Sequence, residues 1–509
     1  MVALLIAFHP AAAQIPKASY NDSLVVAPLY VEYTKVSDEK FAAEVQELQS
    51  NLGQAPHVLL GFSTFLSLEY TAEPNMQRPI DQSMLAPTLH EIDLMVHRAA
   101  ANGIVVHAAL ASGFFHGWNL LRESAIQKDV RNAQWFADGW IGPPADLANP
   151  EVVPRSVWVT PSRYARELRS RMEETVRIVA RHLAGAMTAS PDTLVSISGD
   201  GEVELSWERN LGEGAIGHKT TDVLYTDYSP FAIAEFRDSL RYPKYAGDRT
   251  PGTDDDHDGH TFNGDYRQRF ATWDLKYFND SGPISFAEYV ALPNKLPVSG
   301  PFFRSDGFDA PRTANNADPL WKAWLAFRSQ MVSNYVRDFA QWVTTAPGST
   351  GFTIPADRYY SHQIPADYLF EQANDFRLRT SASPVETGFI APFGGSGVTA
   401  YNIFDGKRHL RTATPLLFSQ LARRSSNWAV LEYNPSMPSQ AGSAPSGDLK
   451  YYKDQLRLLY AFRPHVVVPF PWTGLPELSK TAIKGRPFAR ALASFIKEVG
   501  NTPWAPLKQ

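Results

Sequence analysis

Two short apolar runs in this chain end in carboxylates. In Thr193–Trp207, TLVSISGDGEVELSW, an alternating run opens into Gly-Asp-Gly and then presents Glu202 and Glu204. In Asn427–Pro435, NWAVLEYNP, a second run ends in Glu432. Carboxylates at the ends of buried strands are the minimum kit for cleaving a glycosidic bond. One is held protonated to help the leaving oxygen depart, and the other attacks carbon or activates water. Their separation decides the outcome, about 5–5.5 Å for retention and about 6.5–9.5 Å for inversion, and a sequence does not carry it. Alternate residues of a strand share a face, so only one of Glu202 and Glu204 is needed, and Glu202 is the first choice.

Other residues could serve the same chemistry. Tyr359, Tyr360 and His362, in RYYSHQ, are expected to orient Glu432 from the sixth strand. The Gly-flanked aromatic loop Gly113–Trp118 brings His116 and Trp118 toward a sugar, and Trp472 in PFPWTG is a candidate stacking platform. Asp200 and Asn434 stand beside the candidate acids. A separate acidic stretch, TDDDHDGHTFNGD, sets Asp254, Asp256, Asp258, Gly259 and Asp265 at positions 1, 3, 5, 6 and 12 of a calcium-loop template. His260 would add its backbone carbonyl, and the expected role of the ion is structural, not catalytic.

These side chains need a scaffold that gathers strand ends. Segments around Leu24–Tyr33, His57–Leu68, Ile104–Leu110, Thr193–Gly199, Arg358–His362, Val385–Ala391, Asn427–Glu432 and His465–Phe470 read as strands. Between them lie helical patterns at Asp38–Leu52, Leu85–Asn102, Pro230–Leu240, Leu320–Thr345, Leu416–Arg424, Leu449–Phe462 and Pro487–Val499. A further helix is expected from Thr160-Pro161, with Thr as N-cap and Pro at its first position. The alternation predicts parallel strands with crossover helices, and no Gly-rich phosphate turn accompanies it. We expect an α/β fold, a (β/α)8 TIM barrel spanning 14–509 as one domain. A long Gly-, Pro- and Asp-rich insertion follows strand 4 at about 242–319.

The chain has 509 residues, 44% of them hydrophobic, enough for one large core. A net charge of −5 without a long basic run argues against a nucleic-acid partner. No apolar stretch is long enough to span a membrane. The absence of cysteine excludes thiol catalysis and thiolate metal sites. The start, with its apolar run Val2–Phe8 and Ala11-Ala12-Ala13, reads as a signal-peptide remnant cut after Ala13, so a secreted or periplasmic location is expected. The oligomeric state is left open.

The residues resemble a known group. Glu202 in SGDGEVEL, Glu432 in AVLEYNP and Trp472 in PFPWTG are similar to the barrel glycoside hydrolases of clan A, particularly the β-galactosidase-like members. So is the segment from Asp227-Tyr228-Ser229-Pro230-Phe231 through Glu235-Phe236-Arg237-Asp238-Ser239-Leu240. The resemblance implies an acid/base glutamate after strand four, a nucleophile after strand seven and a sugar-stacking Trp after strand eight, without a catalytic cofactor. Gly201 stands where the clan usually has Asn before the acid, which keeps Glu204 as a second candidate. The Gly-Glu pairing is also similar to the inverting β-amylase barrels. The expected activity is retaining cleavage of a β-linked glycoside. An inverting enzyme on the same residues, or a barrel that binds carbohydrate without cleaving it, remains as an alternative.

Overall fold

The computed structural model describes residues 19–68, 85–111, 125–135, 161–200, 227–241, 319–345, 353–363, 394–400, 418–423, 427–435, 448–473 and 482–507, apart from 163 and 420. It also describes short pieces at 207–208, 224–225, 285, 287, 299–300 and 303–304. Eight parallel strands form a closed barrel: β1 (Leu24–Val26), β2 (Val58–Ser67), β3 (Val105–Ala111), β4 (Leu194–Gly199), β5 (Tyr359–Gln363), β6 (Gly395–Thr399), β7 (Trp428–Tyr433) and β8 (Val466–Pro469). Each strand pairs with the next in order, and β1 pairs with both β2 and β8, so the ring has no free edge. The described helices of the outer layer are α1 (Asp38–Leu52), α2 (Ala86–Ala101), α3 (Arg166–Ala189), α4 (Pro230–Arg241), α5 (Pro319–Thr344), α6 (Leu449–Tyr460) and α7 (Pro487–Val499). The (β/α)8 expectation holds.

Local chemistry explains the helix ends. Ser37 caps α1, its hydroxyl accepting from the Lys40 backbone N–H at 3.3 Å, and Asp38 and Glu39 follow in the first turn. Asp448 caps α6 in the same way through the Lys450 N–H at 2.8 Å. The α7 sequence buries Phe488, Leu492, Phe495 and Ile496, a 3.6-residue stripe laid against the barrel wall.

Some expectations move. The helix expected from Thr160-Pro161 begins at Arg166 instead, because Pro161 pairs in an isolated bridge with Ala133 and Ser162 bonds the Asn132 carbonyl. The strand carrying Tyr359, Tyr360 and His362 is the fifth of the barrel, not the sixth. The sixth is Gly395–Thr399, and the segment first expected as a strand, 385–391, lies outside the described residues. Most of the expected insertion at 242–319 also lies outside them. Among the described residues of that stretch only a two-residue antiparallel pair, Ser299–Gly300 with Phe303–Arg304, is regular sheet.

Two apolar layers result. Val25, Ala27, Leu59, Val105, Val195, Tyr360, Ala429, Leu431, Val466 and Val468 fill the barrel, while a larger cluster lies between wall and helices. The β6 glycines fit the inner layer. A Cβ on Gly397 would collide with the Leu431 side chain, and one on Gly395 would stand 2.8 Å from the Tyr360 ring. The short strand gives up side chains so that its neighbours' large ones can meet inside. We therefore expect Gly397→Ala to destabilise the protein by about 1–3 kcal/mol. Leu431→Ala in the same background should recover part of that loss, as a double-mutant cycle from denaturant unfolding will show.

Candidate active site at the strand C-termini

Glu432 reaches its position through a break in strand regularity. Leu431 faces into the barrel and Tyr433 faces out, where its ring packs on Phe488. In a regular strand residues two apart share a face, so the pleat slips between them. The register of β7 on β8 shifts there, between Val430 and Tyr433, and that of β6 on β7 shifts between Val398 and Thr399, which brings Thr399 opposite Glu432. Such bulges re-aim side chains at sheet ends. Glu432 is 5% exposed, and the Thr399 hydroxyl donates to its Oε2 at 3.4 Å.

A polar chain continues from there. His362 Nε2 lies 2.8 Å from Thr399 Oγ1. His107, on β3, holds Ser196 Oγ at 2.8 Å through Nδ1 and Ser198 Oγ at 2.9 Å through Nε2. Burial pulls the His362 pKa from 6.5 to about 4. Burial first, and then the nearby His362, pull that of His107 to about 3. Both rings are therefore neutral imidazoles at neutral pH, able to donate from one nitrogen and accept at the other.

The end of β4 is anchored outward. Asp200, the residue after the strand, accepts from the Tyr335 hydroxyl of α5 at 2.8 Å, and the Tyr359 hydroxyl donates to the Gly199 carbonyl at 2.6 Å. These bonds fix the end of β4; Glu202 and Glu204, which follow it in sequence, lie outside the described residues, as do His116 and Trp118. The acidic stretch holding Asp254, Asp256, Asp258, His260 and Asp265 lies outside them too. Among the described residues no group of three or more metal-ligating side chains is assembled, and no helix is long and apolar enough to cross a membrane.

Several expected binding residues sit elsewhere. Trp472 is completely buried behind the wall, its indole N–H donating to Glu44 of α1 at 3.1 Å and its ring 6.0 Å from that of Phe62. It ties β8 to α1 and has no face to offer a sugar. Tyr360 points inward at the opposite end of the barrel, its hydroxyl 2.8 Å from that of Tyr20 and 2.7 Å from Asn427 Oδ1. Tyr359 faces the outer layer. Both tyrosine hydroxyls are bonded elsewhere, and of the RYYSHQ residues it is His362 that reaches toward Glu432, through Thr399. Asn434 spans the ends of β7 and β8, donating to the Phe470 carbonyl at 2.5 Å.

Sequence reasoning missed Thr399, His107 and Phe65. Phe65 sits on the inner face of β2, level with Ala109, and is 37% exposed. Among the described residues the other exposed large apolar side chains are Leu449 and Leu507, both outside the barrel strands. A Phe followed by Leu66 on the buried side is the alternation that could have revealed it.

No family model matches the sequence, and no curated protein matches it. Solved structures similar to it include a β-galactosidase from the psychrophilic Marinomonas ef1, with 11% identity and a TM-score of 0.49, covering 94% of this chain and 59% of that one. This chain therefore spans about three-fifths of that protein's length. A glycoside hydrolase family 5 enzyme from Prevotella bryantii is similar at 10% identity and a TM-score of 0.38, covering 94% and 96%. A β-mannanase from the blue mussel Mytilus edulis is similar at 10% identity and a TM-score of 0.38, covering 94% and 92%.

The buried imidazoles have a consequence for stability. Their folded pKa values lie below the usual 6.5, at about 3 for His107 and about 4 for His362 and His465. Below about pH 6.5 the unfolded chain takes up protons that the folded one refuses, so stability falls as pH falls. Each histidine contributes up to about 1.4 kcal/mol per pH unit. Urea unfolding between pH 7 and pH 4.5 should show this loss, and His107→Gln should flatten it. An unchanged slope would remove His107 as its source.

Proposed function

We propose that this chain is a glycoside hydrolase that cleaves a β-linked glycoside with retention, using Glu432 as nucleophile. The acid/base is Glu202, with Glu204 as the second candidate. The observation that carries this reading is Glu432 itself, a carboxylate turned by a strand slip to the C-terminal end of β7 in a closed parallel barrel, where active sites of this architecture lie. The ring order supports the pairing, because β4, which Glu202 and Glu204 follow in sequence, stands three strands from β7 in the same closed ring. The neighbouring groups suit the role as well. A hydroxyl backed by a neutral imidazole stabilises a carboxylate without neutralising it, which a nucleophile requires.

Phe65 takes the place first expected for Trp472. It lies on β2, three strands from β7 in the other direction, on the inner face of the same ring. An exposed aromatic face there suits the apolar C–H face of a pyranose ring.

Two predictions follow this reading. Glu432→Ala should lose activity on aryl β-glycosides by at least about 10⁴-fold. Azide should restore turnover and yield a glycosyl azide of inverted anomeric configuration, whereas Glu202→Ala should give an azide product of retained configuration. A wild type that binds oligosaccharides but cleaves none of the panel would point instead to a carbohydrate-binding barrel. For Phe65→Ala we expect KM for oligosaccharides to rise about 10-fold with kcat little changed, and Phe65→Tyr to behave as wild type. Equal KM values for wild type and Phe65→Ala would remove the platform.

A further inference from the structure

We propose that Thr399 is a positioning residue for Glu432, passing on to the carboxylate a hydrogen-bond direction set by His362. This inference rests on the reading of Glu432 as nucleophile and adds how its charge is controlled.

The geometry leaves Thr399 Oγ1 between two partners, His362 Nε2 at 2.8 Å and Glu432 Oε2 at 3.4 Å. A hydroxyl carries one proton. When Thr399 donates it to an ionised Glu432, its oxygen must accept from His362, so the neutral ring carries its hydrogen on Nε2. When Glu432 is protonated the chain can reverse, with Glu432 donating to Thr399 and Thr399 to a bare Nε2. The direction of this three-residue chain and the charge of Glu432 are thus coupled. All three side chains are buried, with Thr399 1%, His362 3% and Glu432 5% exposed, so bulk water competes little for these bonds. Burial keeps His362 uncharged, which leaves the ring free to adopt either tautomer.

Other charged or titratable groups near the chain come from several elements. His107 of β3 feels the nearby His362 and is held by Ser196 and Ser198 of β4. Asp200, after β4, is turned outward to Tyr335, and Tyr359 of β5 is turned outward to Gly199.

The 3.4 Å contact is long for a hydroxyl on a carboxylate, and catalytic contacts of this kind close up along the reaction. Its largest effect is expected where Glu432 regains its full negative charge, as the glycosyl-enzyme bond breaks and the carboxylate leaves. The β-branched Thr side chain is stiff at χ1, which holds the hydroxyl between its partners, while Ser keeps the hydroxyl with a freer rotor.

The test compares wild type with Thr399→Val, Thr399→Ser and His362→Gln, reading kcat, KM and the pH profile of kcat/KM on an aryl β-glycoside. Thr399→Val should lower kcat about 10- to 100-fold with KM nearly unchanged and move the acidic limb upward by about one pH unit. Thr399→Ser should restore most of both, and His362→Gln should move the limb in the same direction. A Thr399→Val enzyme with a wild-type acidic limb and kcat overturns the proposal even if its unfolding midpoint drops, because packing alone would give that result. Glu432→Ala with azide is run beside them. If azide rescues that variant while Thr399→Val is silent, the positioning role falls and the nucleophile stands; if Glu432→Ala remains fully active, the reading of Glu432 falls and takes the positioning role with it. Should Thr399→Val fail to fold, the His362→Gln profile decides, and a wild-type acidic limb there would overturn the proposal.

Discussion

The barrel closes through three residues. Leu24–Val26 is the shortest of the eight strands, yet it must pair on both sides for the ring to exist. The backbone around it accordingly reaches both neighbours. Val25 N–H donates to the His465 carbonyl at 2.9 Å, Ala27 N–H to Val467 at 3.1 Å and Leu24 N–H to His57 at 3.0 Å. The outer layer reinforces the same seam, since Glu44 of α1 takes the Trp472 indole N–H and the Lys484 ammonium, both from the segment after β8. Without that seam β8 and β2 would be edges, and strand ends far apart in sequence would not face a common opening. That the strand ending near 200 and the strand ending near 432 belong to one ring is a result of closure.

Within the ring the chain spends stability on polarity. Neutral imidazoles, serines and a threonine occupy inner positions that valine or leucine could fill, and they are satisfied in pairs. Buried polar groups are tolerated when partnered, and the partnering here crosses from strand to strand, so each group fixes its neighbour's orientation. The slip at Glu432 belongs to the same design. It breaks the alternation of the wall at one point and turns a carboxylate to a side that regular pleating would have closed to it.

Much of this was legible in the sequence. The strand-helix alternation, the closed barrel and the placing of Glu432 on the seventh strand could be read from apolar periodicity, because most wall strands are continuous Val-, Leu- and Ile-rich runs. The sixth strand, GSGVT, could not, since Gly395 and Gly397 make room for Tyr360 and Leu431 and so carry no hydrophobic signal of their own. Thr399 was missed with it, as its importance depends on a register that exists only once β6 lies beside β7. Trp472 misled for a related reason. Its position after the last strand is evident from sequence, but the side of the wall it faces is set by Glu44, over four hundred residues earlier. The same holds for Tyr359 and Tyr360, which the pleat sends to opposite faces.

At the N-terminal end the barrel is stoppered. The Tyr20 and Tyr360 hydroxyls meet, and His465 bonds the Tyr20 carbonyl at 2.8 Å and lies flat on Trp504 with the rings 4.0 Å apart. Arg358 caps the face of Tyr20 at 3.8 Å. The interior is therefore closed at this end and filled above it by the packed inner layer. Anything that meets Glu432 must come to it from the other end, at the C-termini of the strands.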